Sequence, residues 1–383
     1  MGTLRFLLAL AVALSHFGTV WGYYIMNGRM AVQCFYMISG FLISLVLAEK
    51  YDARTAEGRS LFYSNRALRI YVPYWSFCLF ILAMHALVYV LLGIRYGVHA
   101  QFVQHWPEMT FITRVWLLLS NAFILTQEWA MWLAYQDGLL IPVLNSDLHT
   151  PHLGTFQMIP QAWSMSLELM FYAIAPFLLR FRSAALAAVI LGTYLLRSLA
   201  HAYGLDGSGF VYRFFPFEIG LFLAGALGHR IYAQMQSRGV MHFPVSLAIS
   251  ASFIGIVLVQ QHLDLLDNHK FFILVLLALP ALFDVSRRFR LDRWLGELSY
   301  PIYLGHLAVF GFGGVIATRL AGPIADRDVF ALAMAALTVL LAIAYVHFVD
   351  APFERWRQRR ATAVRYRPAA VPLASPVPAP VSA

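Results

Sequence analysis

LRFLLALAVALSHFGTVWGYYI, running from Leu4 to Ile25, is an apolar stretch carrying one arginine, Arg5, at its start and one histidine, His16, near its middle. About 20 apolar residues at 1.5 Å rise per residue cover the hydrocarbon core of a bilayer, so the run reads as a membrane-spanning helix. An ionisable side chain at mid-depth costs about 3 kcal/mol on insertion scales and normally faces a cavity or a partner helix. His16 therefore reads two ways, as a histidine hydrogen-bonded to a neighbouring helix and holding the bundle together, or as a working residue.

The rest of the chain has the same character. Of 383 residues, 60% are hydrophobic and 12% charged, against about 25% charged in an ordinary soluble domain. The class is an all-α polytopic membrane protein. The net charge of +9 does not point to nucleic acid, because the basic residues cluster in short interhelical loops, as the positive-inside bias requires. Cys34 and Cys78 fall inside predicted spans and read as packing residues; they make no disulfide framework or zinc motif. Arg5 followed by Ala11-Val12-Ala13 imitates a secretory signal. The apolar run before that site is too short and hydrophobicity continues past it, so a retained span is expected.

Apolar runs predict spans over 4–26, 30–48, 70–93, 112–133, 163–180, 183–201, 212–233, 243–262, 270–286, 297–321 and 328–350. Basic clusters follow four of them: Lys50 to Arg69, Arg180 with Arg182, Arg287 to Arg293, and Arg355 to Arg360. All four can face the cytoplasm only if an odd number of crossings is removed between residues 70 and 162. Segment 134–162 contains no Lys or Arg, which suits the outside. The 112–133 run is therefore expected to be re-entrant or surface-lying. That leaves about ten crossings, with both termini in the cytoplasm. Residues 1–355 form the membrane domain; 356–383 are basic, then a Pro/Ala-rich tail without periodicity, expected to be disordered.

Within the spans several groups stand out. Ser39-Gly40 permits close approach of a second helix. Arg66 and Arg69 share one helix face at the cytoplasmic end, where paired guanidiniums can clamp phosphate or simply set topology. Glu168, a little inside a span, needs a partner. Glu218 is similar, and His306 is a second histidine within a span. Asp147, His149 and His152 have a loose metal-like spacing that reads better as free surface histidines.

These blocks, in this order, resemble the acyltransferase 3 family of integral membrane acyltransferases. The resemblance covers roughly residues 5–355. Arg5 and His16 match an arginine followed eleven residues later by histidine. Phe35 to Ile43 is similar to a Phe-Phe-x-x-Ser-Gly-Phe block, and Arg66, Arg69 and Ile70 to an Arg-x-x-Arg-Ile block. Trp163, Ser164, Glu168, Phe171 and Tyr172 fall on Trp-Ser-x-x-x-Glu-x-x-Phe-Tyr. Ser299, Tyr300, Tyr303, Leu304 and His306 fall on Ser-Tyr-x-x-Tyr-Leu-x-His. Gln33 stands where an Asp is common, Leu169-Met170 replaces a frequent Glu-Gln, and Pro73 comes one residue late. These departures leave the class intact and bear on acceptor specificity.

The resemblance implies an O-acyltransferase of the bacterial cytoplasmic (inner) membrane. Its donor would be acyl-CoA, most often acetyl-CoA, used as a substrate with no permanently bound cofactor or metal. The partners implied are membrane lipids and a carbohydrate acceptor, such as a polysaccharide, lipopolysaccharide or oligosaccharide. His16 would be the catalytic base, suited to the role because a neutral imidazole titrates near working pH; Glu168 would orient it or balance its charge. Arg5, Arg66 and Arg69, with Ser39 and Tyr71, would hold the donor. Trp163, Tyr300, Tyr303 and His306 complete the motif set. Either the acceptor hydroxyl attacks the thioester directly, or His16 is acylated first and passes the group on. A proton-coupled transporter or exporter of a lipid-linked sugar or small acid is the alternative, since carriers also bury His, Glu and Arg; no internal repeat supports it.

Overall fold

The computed structural model describes residues 1–205, 210–263 and 267–365. The tail from Pro368, expected to be disordered, lies outside the described residues, while the basic stretch before it is helical as far as Arg365. The chain folds as α1 (Gly2–Ser15), α2 (Gly28–Glu49), α3 (Ala56–Leu92), α4 (Gly97–His105), α5 (Phe111–Phe123), α6 (Trp163–Leu178), α7 (Ser183–Ala202), α8 (Phe210–Arg213), α9 (Phe215–Ser237), α10 (Phe243–Leu263), α11 (Asn268–Ser286), α12 (Arg290–Ala321), α13 (Arg327–Tyr345) and α14 (Ala351–Arg365). A π-turn over Val346–Asp350 joins the last two. Among the described residues, six helical stretches are long and apolar enough to cross a membrane: α2, α3, α7, α11, α12, and α13 continued to Arg357. The all-α, multi-pass class is as expected.

Two glycines set the central contact. A Cβ on Gly40 of α2 would stand 1.8 Å from the Phe222 carbonyl oxygen of α9, and one on Gly225 of α9 would stand 1.8 Å from that of Met37. The two backbones thus touch at a reciprocal pair of small residues, the close approach that Ser39-Gly40 predicted. The contact also brings Ser39 to the interior. A second pair, α1 on α12, is joined at its start by Asp292, which accepts hydrogen bonds from Gly2 N (2.8 Å), Thr3 N (2.9 Å) and Thr3 Oγ1 (2.7 Å). The two amides are helix N-terminal donors with no helical partner of their own, and an acidic side chain suits them.

The first span differs from its expected 4–26. α1 ends at Ser15 with His16 as its C-cap, and positive φ at Gly18 (89°), Trp21 (48°) and Gly22 (76°) turns the chain through a small bridge between Val20 and Tyr23. Glycine tolerates this backbone where a helix would not continue. His16 consequently sits at the end of a short helix and opens to a cavity, rather than at the middle of a long one. Irregular backbone at such depth is tolerated when it lines a cavity, and residues 16, 18, 19, 24 and 26–29 do so.

The 112–133 run is also no continuous span. α5 has 13 residues, about 20 Å, short of a ~30 Å core. Its Phe111 and Ile112 are exposed, in keeping with a surface-lying element. The chain then runs through a 3-10 turn (Gln127–Met131) into a two-stranded antiparallel hairpin, β1 (Leu133–Gln136) and β2 (Leu139–Pro142). A small satellite core of Met109, Leu117, Ala130, Tyr135, Leu153 and Phe156 packs beneath it.

All four basic clusters reach one end of the bundle. Lys50 and Arg180 share a groove there, and Arg69, Arg287, Arg293 and Arg357 share another. α1 runs from this basic end towards the opposite one, where His16 lies.

Candidate active site

At the basic end a chamber of about 680 Å³ is lined by Arg5 of α1, Ser39 of α2, Arg66 and Arg69 of α3, Glu168 and Tyr172 of α6, and Tyr300 and Tyr303 of α12. Among the described residues the guanidiniums of Arg5, Arg66 and Arg69 make no ion pair or hydrogen bond, and Arg66 Nε is buried without a partner. Glu168, Glu297 and Glu354 line the same space, but none is in salt-bridge contact with these three cations, so each guanidinium keeps its donors for a phosphate or carboxylate. The carboxylate of Glu168 is engaged instead by hydroxyls: Ser39 Oγ donates to it at 2.5 Å, and Tyr172 OH donates to the same oxygen. Tyr300 OH donates to the Ile70 carbonyl at 3.0 Å, tying α12 to α3 one residue beyond Arg69.

At the other end a cavity of about 760 Å³ holds His16, with Tyr24, Arg29, His152, Trp163, Tyr212 and Arg213 among its lining. The segment between α5 and α6 contributes Ala130, His152, Gly154, Thr155, Gln157 and Pro160 to its wall. His152 is used structurally, its Nδ1 accepting from Gly154 N at 3.0 Å. Trp163 lies under the Arg213 guanidinium (4.6 Å) and edge-on to Tyr212 (4.9 Å).

The neighbour of His16 is His306. Their ring centroids are 5.3 Å apart. His306 is fully buried, and its Nδ1 meets the carbonyls of Tyr303 (2.9 Å) and Ile302 (3.3 Å). A nitrogen facing two acceptors must carry the proton, so the neutral ring keeps Nε2 as an unprotonated acceptor. That atom is buried without a hydrogen-bond partner among the described residues.

The two spaces share a wall. Val32 and Tyr303 line both. Tyr303 OH is held by Ser164 Oγ (2.6 Å) and by the Gln161 carbonyl (3.0 Å). Arg5 and His16, at opposite ends of α1, stand eleven residues apart, about 16 Å along the axis.

Two expected placements change. Glu168 lies in the basic chamber, bonded to Ser39 and Tyr172, and does not contact His16; it cannot orient that ring. Tyr71 points away from the chamber, and its OH donates to the Phe123 carbonyl at 2.6 Å. With Tyr74 OH to Asn121 O (2.6 Å) and Trp75 Nε1 to Ala122 O (2.7 Å), it forms a row of α3 donors. Together they satisfy three consecutive carbonyls that the end of α5 leaves without helical partners. Tyr71 is an anchor.

Three residues were not singled out by sequence reasoning. Arg29 and Arg213 line the His16 cavity, and Glu128, 2% exposed, buries both carboxylate oxygens without a hydrogen bond among the described residues. Burial pushes the Glu128 carboxyl up from its ordinary range, and nearby Ser166 offsets this only in part. A signal existed: Glu128 falls in a stretch, 115–179, without a single Lys or Arg, so no local cation could pair it.

A family model described as an acyltransferase domain matches residues 2–349, and the chain belongs to that family, acyltransferase 3. An uncharacterized protein of Aquifex aeolicus (strain VF5) is 28% identical over 157 residues, 40% of this chain and 70% of that protein. No solved structure matches the chain.

Proposed function

We propose that this multi-pass membrane acyltransferase moves an acyl group, acetyl in the simplest case, from acyl-CoA to a hydroxyl of a cell-surface or exported carbohydrate. The observation that carries the reading is the pairing of two spaces across one wall: a chamber with three guanidiniums free of salt bridges among the described residues, and a cavity lined by His16, meeting at Tyr303. The CoA phosphates rest on Arg5, Arg66 and Arg69 while the pantetheine arm passes Tyr303 towards His16. A thioester is then presented from one side and a sugar hydroxyl from the other. The basic end is cytoplasmic in this reading, in a bacterial inner membrane with both termini inside, because CoA is a cytoplasmic donor and basic clusters favour that side.

His16 takes the proton of the acceptor hydroxyl. The oxygen attacks the thioester carbonyl, the C–S bond breaks, and the departing thiolate recovers the proton from the imidazolium. His306 Nε2, an acceptor left unpartnered beside the His16 ring, would take a hydrogen bond from the His16 N–H as the proton moves and so fix which nitrogen acts as base. The C-terminal end of α1, which His16 caps, favours the positive charge that develops on the ring.

The test is transfer of label from acetyl-CoA to glycan in purified membranes, with His16→Ala as comparison. Transfer dependent on His16 supports the reading; comparable transfer without His16 overturns the catalytic assignment. A carrier without acyltransferase activity would show no transfer at all.

A further inference from the structure

We propose that the acceptor bound beside His16 is an anionic saccharide, a sugar bearing a carboxylate or a phosphate, and that Arg29 with Arg213 reads its charge. The inference rests on the reading of this cavity as the acceptor site and names the chemistry it selects.

The lining of the cavity includes two arginines and two histidines, and no aspartate or glutamate among the described residues. Arg29 sits over the Tyr212 ring at 5.4 Å and Arg213 over Trp163 at 4.6 Å. Tyr212 and Trp163 are themselves in edge-on contact at 4.9 Å, so the four side chains form one continuous row, arginine–tyrosine–tryptophan–arginine. The Arg29 guanidinium, laid on its ring, is restrained, and its edge stays available for two parallel hydrogen bonds to a planar carboxylate or to phosphate oxygens, while Arg213 adds a second positive charge. Arg29 makes no ion pair among the described residues.

The backbone adds charge of the same sign. α2 begins at this cavity, with Asn27, Gly28 and Arg29 in its lining, and so does α6, through Pro160, Gln161 and Trp163. Two helix N-termini thus direct their positive ends at the same space. Arg29 and Arg213 also stand at the end of the bundle opposite the four basic clusters, where topology gives no reason for arginine. The aromatic rings offer faces for sugar stacking, and about 760 Å³ falls within the usual range for small-ligand sites. A neutral glycan would leave the Arg29 guanidinium without a charge to meet.

The experiment uses the purified full-length protein and measures calorimetric binding of trigalacturonate, its methyl ester and glucose 1-phosphate. The first probe tests a carboxylate, the third a phosphate, and the ester removes charge at constant shape. At least one acid should bind about tenfold more tightly than the ester. Arg29→Gln should shrink that ratio to about threefold or less, with Arg29→Lys, which keeps the charge, in between. Arg66→Ala, in the other chamber, should leave the ratio unchanged. Equal binding of acid and ester overturns the proposal, as does a ratio lost in Arg66→Ala but kept in Arg29→Gln, or no binding of either acid at millimolar concentration. Acyl transfer is read separately on the same preparations. Transfer without charge selection removes only the anion site; Arg29-dependent charge selection without transfer to any acceptor removes the acyltransferase reading.

Discussion

The imidazole of His16, closing α1, and that of His306, buried in α12, lie with centroids 5.3 Å apart and planes inclined by 31°. One ring is open to the cavity and the other has its Nδ1 committed to the Tyr303 carbonyl, so their roles cannot be exchanged. His16→Ala should lower transfer by a factor on the order of 100 or more, the usual contribution of a positioned base. His306→Gln, which keeps a hydrogen-bonding group at the site, should lower kcat about tenfold while leaving the KM for acetyl-CoA unchanged. Steady-state kinetics on purified membranes separate the two; a His306→Gln enzyme with normal kcat would show that the buried ring serves packing alone.

Arg66 and Arg69 line the basic chamber without a salt-bridge partner among the described residues, so their removal should act on the donor and not on the chemistry. Each to alanine should raise the KM for acetyl-CoA about tenfold, the loss of one charge-assisted contact to phosphate, with a smaller change in kcat. Dephospho-CoA thioesters should feel one of these substitutions less than the intact donor does. Unchanged donor affinity in both variants would sink the clamp.

Tyr71 adjoins that arginine pair in sequence yet anchors α5. Tyr71→Phe should cost about 1 kcal/mol of stability, because it strips a partner from a carbonyl at a helix end, and should leave donor affinity at the wild-type value. Thermal denaturation in detergent together with a donor titration checks both halves. A stable Tyr71→Phe protein that binds acetyl-CoA poorly would return Tyr71 to the donor site.

Much of this arrangement is legible in the sequence, and the failures have physical causes. Charge placement gave the basic end, since loop arginines cannot cross a bilayer, and Ser39-Gly40 gave the close approach of α2 to a neighbour. Periodicity could not reveal that the first apolar run breaks after Ser15, because hydropathy does not register the positive φ that Gly18 and Gly22 permit. The hairpin was not foreseen, although Asp137-Gly138, a two-residue turn with both φ positive (48° and 80°), carries its signal; the segment was read for its charge alone. Partners across the fold were not readable. That Glu168 meets Ser39 and Tyr172 while His306 meets His16 depends on how α1, α2, α6 and α12 rotate against one another, and a 3.6-residue period leaves that rotation open. For the same reason neighbours in sequence parted company: Arg69 faces the chamber and Tyr71, two residues on, faces α5.

Glu128 carries a testable pH signature. Its carboxyl is buried, is without a hydrogen bond among the described residues, and has been pushed up from the ordinary glutamate range by burial. The folded state therefore holds this proton more tightly than the unfolded chain does. Its contribution to stability is present at pH below the ordinary carboxyl range and is lost as pH rises through the raised value. Glu128→Gln, neutral at every pH and of the same shape, escapes that loss. The variant should match the wild type near pH 4 and be the more stable of the two near pH 7.5, by about 1 kcal/mol per unit of upward shift. Melting curves of the two proteins across that range decide it. A variant less stable at pH 7.5 than at pH 4, relative to wild type, would mean that the carboxylate is ionised and paired in the folded protein.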